Sequence, residues 1–451
     1  MNYWVETISD FLWGPWTVLL LVLLGFLMTL ASRGIQFRKF TLAIRLVAQG
    51  AFHKDRGEKE AGDISPFQAL TTAMAATIGN GNIAGVATAI AIGGPGAAFW
   101  MVFMAPLGMA TKFSETVLSL KYRKKIEDGS MLGGPMSYLK DGLGLPTIGA
   151  IFALCATLGG LGAGNIAQAN SIALVLATEF NVAYSITGVL LAIVLGIVII
   201  GGIKRIGHLA ENLVPTMVVL YSIGVLVIII ANIDLLPSAI QIILTSAFEP
   251  VAPIGGFAGA SVARTIEYGI RRGVISSEAG VGSAGIAHSA AQTKDPLRQG
   301  YISMIGVFID TMIVCSMTAI TVVITGVWNN GETSTAMVAT AFNSTIPYGG
   351  IVIALCSLLF GFTTMVTWAY YGEQGIRFVT DSKIVIYIFR VVWCIAAYLG
   401  SVYEAKLIWD LGDIMIACMM FPNLVGLFGL IREIRVITDT DTGHVSSRPT
   451  A

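Results

Sequence analysis

The residues best suited to chemistry interrupt an apolar segment, Thr71 to Ile90, at its middle: they are Gly79-Asn80-Gly81-Asn82. Glycine and asparagine are poor helix formers, and a helix that breaks within hydrocarbon leaves backbone N–H and C=O groups without partners. N–H groups at the start of a helix attract an anionic group, and freed carbonyl oxygens attract a hard cation. The pattern therefore predicts a binding site for a small charged ligand in the middle of a membrane span.

The composition indicates a membrane protein with several spans. Of the 451 residues, 55% are hydrophobic and 12% are charged, and the mean hydropathy is +0.78. These values are far from those of a soluble domain. The 27 basic and 27 acidic residues balance, so the total charge does not point to a nucleic-acid partner. Five cysteines stand singly in apolar runs and predict neither a disulfide framework nor a zinc site; they are Cys155, Cys315, Cys356, Cys394 and Cys418.

Eleven apolar runs are long enough to predict transmembrane helices. They cover residues 11–31, 64–91, 95–120, 146–176, 182–202, 209–232, 258–291, 298–327, 348–376, 384–401 and 407–431. Basic residues concentrate in every second loop, which places the N-terminus outside and the C-terminus in the cytoplasm. Arg264, Arg271 and Arg272 oppose this pattern, because they fall near the predicted outer end of the seventh span. We expect either a later start of that helix or arginines that line a wet or protein-buried region.

A second glycine-rich interruption, Gly280-Val281-Gly282-Ser283, lies in the seventh span, five spans after the first. Because five is odd, halves that begin with these spans have opposite membrane orientations, as in the inverted repeats of transporters. An isolated glycine pair more often serves helix packing, but the recurrence and the asparagines favour a binding site. The predicted division is an extra helix at 1–34, a cytoplasmic linker at 35–63, a first repeat at 64–232, an external connection at 233–257, a second repeat at 258–431 and a cytoplasmic tail at 432–451.

Motifs across most of the chain point to one family. They are T-I-G-N-G-N-I-A-G-V-A from Thr77, G-G-P-G-A-A-F-W-M from Gly93, G-M-A-T-K from Gly108, G-G-P-M from Gly133, G-I-R-R-G from Gly269, S-E-A-G from Ser277 and I-A-H from Ile286. This set resembles the alanine or glycine:cation symporters, also called sodium:alanine symporters. The resemblance implies an all-α membrane protein of the leucine-transporter fold: one extra N-terminal helix, then a 5+5 inverted-repeat core with broken helices in spans 2 and 7. It implies sodium-coupled import of small neutral amino acids, namely alanine, glycine and serine.

The resemblance also implies a sodium site between spans 2 and 9. Its ligands would be the carbonyl oxygens of Ala75, Ile78 and Phe360 and the hydroxyls of Thr363 and Thr364. An alternative stays open, because threonines in membrane helices commonly bond back to the carbonyl four residues earlier.

The break in span 2 is the predicted substrate site, because its N–H groups suit the carboxylate of an amino acid. Candidates for the ammonium group are Gln168, Thr364 and the carbonyls of the break in span 7, and Trp368 could close the pocket over the side chain. Buried amides can instead join helices, and tryptophans can anchor a span at the interface. The predicted substrate contacts are Gly79, Asn80, Gly81, Gln168, Gly280, Gly282, Thr364 and Trp368.

Three acidic residues fall within predicted spans: Glu278, Asp310 and Glu373. An ionisable residue in a membrane is a functional hypothesis by default. Asp310 is a candidate proton site, and Glu373 with Arg377 predicts an inner gate or a structural ion pair. A proton-driven carrier of the same fold is therefore the closest rival, and a channel is a weaker one.

Motifs of other classes do not occur in the sequence. It holds no G-x-x-x-x-G-K-[ST] loop for ATP and no H-E-x-x-H helix, so neither an ATP-driven pump nor an enzyme is predicted. We expect a plasma-membrane carrier whose partners are sodium, a small amino acid and the bilayer, with no organic cofactor, nucleic acid or obligatory protein partner.

Overall fold

The structure, a computed structural model, describes residues 2–52, 61–403 and 405–440. Residues 441–451 of the predicted tail lie outside these ranges. The described chain is helical apart from one short hairpin and the connecting turns. In the first half the α-helices are α1 (Asn2–Leu12), α2 (Pro15–Ala31), α3 (Ile35–Arg38), α4 (Phe40–Phe52), α5 (Pro66–Thr77), α6 (Val86–Gly93), α7 (Ala97–Lys121), α8 (Pro135–Asp141), α9 (Pro146–Gly159), α10 (Ala167–Phe180), α11 (Tyr184–Ile199) and α12 (Gly202–Ala231).

The second half continues with helices of similar kind. They are α13 (Leu236–Ser246), α14 (Val262–Ser277), α15 (Ser283–Ser289), α16 (Pro296–Val307), α17 (Ser316–Ile324), α18 (Ser334–Asn343), α19 (Gly349–Val379), α20 (Lys383–Val402), α21 (Ala405–Gly429) and α22 (Ile431–Thr440). The hairpin joins α7 to α8 and pairs β1 (Lys124–Lys125) antiparallel with β2 (Met131–Leu132).

Three spans contain a π-helical segment, a wide turn that is frequent at functional sites. These segments are π1 (Gly81–Gly85), π2 (Gly160–Ile166) and π3 (Phe308–Cys315). π2 joins α9 to α10 without a break, and π3 joins α16 to α17 in the same way. π1 instead follows a gap in the helix, which makes the second span different from the other two.

The start of α5 is fixed by its sequence. The Ser65 hydroxyl accepts a hydrogen bond from the Gln68 N–H, and the Gln68 amide oxygen accepts one from the Ser65 N–H, both at 3.1 Å. This reciprocal capping box and Pro66 at the first helical position are strong start signals. The first residue of α5 is therefore fixed independently of the break at its other end.

Among the described residues, seven helices are long and apolar enough to cross a membrane, and α5 with α6 forms an eighth, bent span. The other predicted spans correspond to α7, to the 16-residue α11 and to the separated helices α14 and α15. α7 carries two charged residues, Lys112 and Glu115, in its interior. The count of eleven spans and the division into repeats stay predictions.

α19 lies at the centre of the bundle and packs against α5, α9, α10 and α12. α7 packs against α14, α15 and α16, while α2 lies against α7. α19 therefore faces the helix on one side of the span 2 break, and α7 faces both helices of the interrupted seventh span.

The arginines that opposed the charge pattern lie in α14, which begins at Val262 rather than at residue 258. Arg271 and Arg272 are buried and pair with Asp413 of α21 at 2.7 and 3.1 Å. Arg264 is exposed in the first turn. Both expected explanations apply: the helix starts later, and the two arginines are buried within the protein, where Arg271 also lies 3.6 Å from Asp10.

Candidate functional site

The second span is bent by 50° between Thr77, where α5 ends, and Gly81, where π1 begins. Ile78 leaves the helix with φ −77° and ψ 82°. Asn80 and Asn82 are fully buried, so the backbone of the break lies inside the bundle. Its polar groups must therefore find partners within the protein or in a ligand.

Side-chain amides bind the two N–H groups that the break frees. The Gly79 N–H donates to Asn82 Oδ1 at 3.0 Å and to the Thr77 carbonyl at 2.9 Å, and the Asn80 N–H donates to Gln168 Oε1 at 3.0 Å. In an unbroken helix these N–H groups would bind the carbonyls of Ala75 and Ala76. The break thus presents two N–H donors to neutral amide oxygens, and a ligand carboxylate is a stronger acceptor for the same donors.

The Thr364 hydroxyl of α19 lies among the carbonyls that have lost those donors. Its Oγ1 is 2.9 Å from the Ala75 oxygen, 3.4 Å from the Ala76 oxygen and 3.0 Å from the Phe360 oxygen. A hydroxyl carries one proton and can donate to only one of these carbonyls at a time. The carbonyls of Ala75 and Ala76 have lost their helical donors and share this one hydroxyl, whereas Phe360 lies within the continuous helix α19; the two freed carbonyls suit a hard cation.

Thr363 reaches the same cluster only through Phe360. Its hydroxyl lies 3.0 Å from the carbonyl oxygens of Leu359 and Phe360 and 3.7 Å from Met217 Sδ of α12. Both threonines thus bond back within α19, as the alternative interpretation expected, and Thr364 also reaches across to α5. The role of Thr363 and of the Ile78 carbonyl as sodium ligands stays a prediction.

Gly79 lies where side chains of α10 and α19 approach the break closely. A Cβ atom there would lie 2.5 Å from Thr364 Oγ1 and 3.3 Å from Gln168 Oε1. Only glycine fits between these two side chains. Gly81 is less confined, and a Cβ atom there would lie 3.9 Å from Ser276 Cα of α14. The structure thus brings Gly79, Gln168 and Thr364 together, as the sequence predicted.

The Asn80 side chain points away from the break to α19. Its Oδ1 accepts a hydrogen bond of 2.7 Å from the Ser357 hydroxyl, and its Nδ2 donates to the Ser357 carbonyl at 3.4 Å. Ser357, two turns before Thr364, was not among the predicted residues. Asn80 therefore offers its backbone to the site and uses its side chain to hold the break against α19.

Asp310 of π3 lies on the other side of the break and is fully buried. Its Oδ1 accepts a hydrogen bond of 2.7 Å from Asn82 Nδ2, and the Ser276 and Thr311 hydroxyls lie 3.1 and 2.8 Å from its Oδ2. Asp310 thus connects the break of span 2 to the last turn of α14. The sequence marked Asp310 as functional but did not identify Asn82 and Ser276 as its partners.

Trp368 lies one turn beyond Thr364, where its indole Nε1 donates to Glu278 Oε1 at 3.0 Å. Its ring packs against Gly164 of π2 and forms an edge contact with Tyr371, with ring centroids 5.4 Å apart. Ala163 of the same π segment accepts the Gln168 Nε2 hydrogen bond at 3.2 Å. π2 therefore contacts both Gln168 and Trp368, and Trp368 connects this group to the interruption in span 7 through Glu278.

The interruption in span 7 extends from Glu278 to Gly282, and Gly280 and Gly282 adopt φ values of +92° and +91° that favour glycine. The Gly280 N–H donates to Glu115 Oε1 at 3.0 Å, and the Gly280 carbonyl accepts from Asn423 Nδ2 at 2.8 Å. A Cβ atom at Gly282 would contact Pro135 and Asn423. The described contacts of the two glycines are thus with α2, α7, α8 and α21, and their role as substrate contacts stays a prediction.

A cavity of about 690 Å³ lies at the end of the molecule where α6 ends. Ala84 and Gly85 of π1, Ser171 of α10 and Trp328 contribute to its wall. π1 directly follows the break, so the cavity approaches the break from the predicted external face. We call the group of Gly79, Gln168 and Thr364 at the break the Gly79 site.

An ion-pair network occupies the opposite end of α19. Glu373 pairs with Arg377 at 3.0 Å and with Arg390 of α20 at 2.8 Å, and Arg377 also pairs with Asp128 of the hairpin. Burial acts to raise the pKa of Asp128, but hydrogen bonds from Ser130 and the Arg377 guanidinium lower it to about 2. Glu373 and Arg377 do form the predicted pair, while its gating role stays a prediction.

Comparison with known proteins gives the family. The model of the sodium:alanine symporter family matches residues 1–442 of the chain. The chain belongs to the sodium:alanine symporter family. An uncharacterized transporter of Haemophilus influenzae is 42% identical over 434 residues, which cover 95% of this chain and 94% of the relative. The sodium/alanine symporter AgcS of Methanococcus maripaludis is also 42% identical, over 431 residues that cover 94% of this chain and 93% of AgcS.

Solved structures give the fold of this symporter family member. The transporter MhsT, crystallised with L-phenylalanine, aligns with a TM-score of 0.56 at 13% identity, over 85% of this chain and 99% of MhsT. At that identity the likeness concerns the fold alone. The predicted family and the predicted leucine-transporter fold are thus confirmed, and the protein is a multi-pass membrane transporter rather than an enzyme.

Proposed function

We propose that this symporter imports a small neutral amino acid, alanine first and glycine or serine as further substrates, together with sodium. The observation that carries the proposal is the pair of freed carbonyls that share the Thr364 hydroxyl, directly beside the freed N–H groups of Gly79 and Asn80. A cation and a carboxylate are complementary to these two groups. A zwitterion with a sodium ion satisfies both at once.

In this proposal the substrate carboxylate takes the N–H groups of Gly79, Asn80 and Gly81. It replaces the amide oxygen of Gln168 on the Asn80 N–H, and the freed Gln168 oxygen accepts the substrate ammonium. Because Gln168 Oε1 and Thr364 Oγ1 both lie close to Gly79, the space beside the break suits a short side chain. Trp368 and the interruption near Gly280 and Gly282 form the far wall of the pocket.

Sodium binds to the carbonyls of Ala75, Ile78 and Phe360 with the hydroxyls of Thr363 and Thr364. The ion and the amino acid then order the two ends of one break. Once one ligand has ordered the break, the second ligand binds with a smaller loss of conformational entropy. Each ligand therefore raises the affinity of the site for the other. One sodium ion that crosses 100 mV supplies roughly 2.3 kcal/mol to drive the transport of the bound amino acid.

The same site becomes accessible first from one membrane face and then from the other as the two repeats rock against each other. We place the carrier in the plasma membrane with the N-terminus outside. The basic loops support this orientation, and the cavity near π1 then opens toward the external face.

A proton-driven carrier is the second candidate, because Asp310 binds the break through Asn82. Uptake of labelled alanine into proteoliposomes separates the two. We expect an inward sodium gradient at equal pH to drive accumulation, and an inward proton gradient without sodium to drive none. Accumulation that ignores sodium and follows the proton gradient would replace the proposal by its rival. A flux that never saturates with alanine would indicate a channel.

A further inference from the structure

The two broken spans are joined at the face opposite the external cavity. From its break, α5 leads back to residues 61–64, and α15 leads from the interruption in span 7 to residues 289–293. The N–H groups of Asp63 and Ile64 donate to the Ala290 carbonyl at 2.8 and 3.2 Å, and the Gln292 N–H donates to the Ile64 carbonyl at 2.8 Å. We call these two segments, 61–64 and 289–293, the inner seal.

One guanidinium, that of Arg123 just after α7, binds both segments of the inner seal. Its Nη1 donates to the carbonyls of Ser289 and Ala291 at 2.7 and 2.6 Å. Its Nη2 donates to the carbonyls of Ala61 and Thr293 at 2.9 and 2.5 Å. The planar, permanently charged guanidinium presents its donors in a fixed fork, so one side chain can hold four carbonyls in a single arrangement.

The four carbonyls are backbone acceptors at the ends of two different elements. Ala61 precedes α5, whereas Ser289, Ala291 and Thr293 end or follow α15. A charged donor strengthens each of these hydrogen bonds relative to a neutral one. Separation of the segments would break bonds to Arg123 and the backbone bonds of the seal in the same step. Closure at this face is therefore cooperative.

We propose that Arg123 is the inner latch of the transporter, a positioning residue that keeps the broken spans together at the predicted cytoplasmic face. The inference rests on the proposed alternating access, in which the Gly79 site opens to this face only when α5 and α15 separate. Arg123 touches neither the sodium cluster nor the substrate donors. It sets how often the inner face opens, without a contact to either ligand.

Hydrogen exchange measured by mass spectrometry on the full chain in lipid nanodiscs tests the latch, without sodium or amino acid. The variants are Arg123→Lys, which keeps the charge but loses the fork, and Gly62→Ala. A Cβ atom at Gly62 would lie 2.5 Å from the Ala291 oxygen and the Gln292 nitrogen, so this change opens the seal from its other segment. Lys125→Gln, at an exposed position of the hairpin, is the matched control.

We expect amides in 61–64 and 289–293 to exchange at least tenfold faster in both variants, with exchange in α19 unchanged and the control equal to the parent protein. Unchanged exchange in the seal overturns the latch, and so does an equal increase throughout α19, which would mean general destabilisation. The measurement uses no ligand, so it does not depend on which amino acid or ion the protein carries. A failure of the proposed function would appear instead in the proteoliposome uptake assay.

Discussion

Replacement of Thr364 by valine removes one hydroxyl from the oxygen cluster and keeps the shape of the side chain. In the structure this hydroxyl lies 2.9, 3.4 and 3.0 Å from the carbonyls of Ala75, Ala76 and Phe360. A hydrogen-bonding group that interacts with a charge contributes about 1.5–3 kcal/mol. Because 1.4 kcal/mol is tenfold in affinity, we expect roughly a 10- to 100-fold rise in the sodium concentration that gives half-maximal uptake.

The assay is initial alanine uptake by proteoliposomes over a sodium series, at a fixed membrane potential. Thr364→Ser keeps the hydroxyl and serves as the matched control, with an expected change within about threefold because only a methyl group is lost. Thr363→Val should have a smaller effect than Thr364→Val, because the Thr363 hydroxyl does not reach Ala75. If Thr364→Val leaves the sodium dependence unchanged while protein abundance and folding are normal, the placement of the ion beside Thr364 is wrong.

Three further predictions concern the pocket and the inner face. Gly79→Ala would place a methyl group 2.5 Å from Thr364 Oγ1, so we expect the affinities for sodium and for alanine to fall at least tenfold. Calorimetry measures both affinities, and values like those of the parent protein would contradict the packing at the break. Gln168→Ala should weaken alanine binding more than sodium binding, and equal losses for both ligands would argue against an ammonium contact. The pKa of Asp128 is lowered to about 2, so its contribution to folding stability is fully present above the ordinary carboxyl pKa. That contribution is lost as the pH falls from there through about 2. Asp128→Asn should therefore leave the shape of the uptake profile from pH 5 to 8 unchanged, and a new titration step in that range would refute this.

Composition and glycine pattern predicted the parts of the fold that depend on local chemistry. α5 does end at Thr77, just before the Gly79–Asn82 motif, but helical structure resumes at Gly81 in π1, so the gap is shorter than the predicted interruption. The charge pattern also indicated which arginines required an explanation. Length and periodicity could not supply the ion pair of Arg271 with Asp413, because the partners are 142 residues apart.

The candidate site was predictable where the signal was chemical and local. Gln168 was identified because a polar amide is costly in a membrane span, whereas Thr364 was identified through the family resemblance; the structure places both beside Gly79. Ser357 and Ser276 were missed because serine is common in membrane helices and gives no signal by itself. The seal at Arg123 was missed for another reason: its partners are backbone carbonyls, which have no sequence signature.

The most direct test of the account is the simultaneous measurement of sodium and alanine flux in one proteoliposome preparation. With labelled sodium equal on both sides, an inward alanine gradient should drive sodium inward, and the sodium movement should disappear in the Thr364→Val variant at low sodium. If alanine enters without any movement of sodium, the central claim that one break binds both ligands is contradicted.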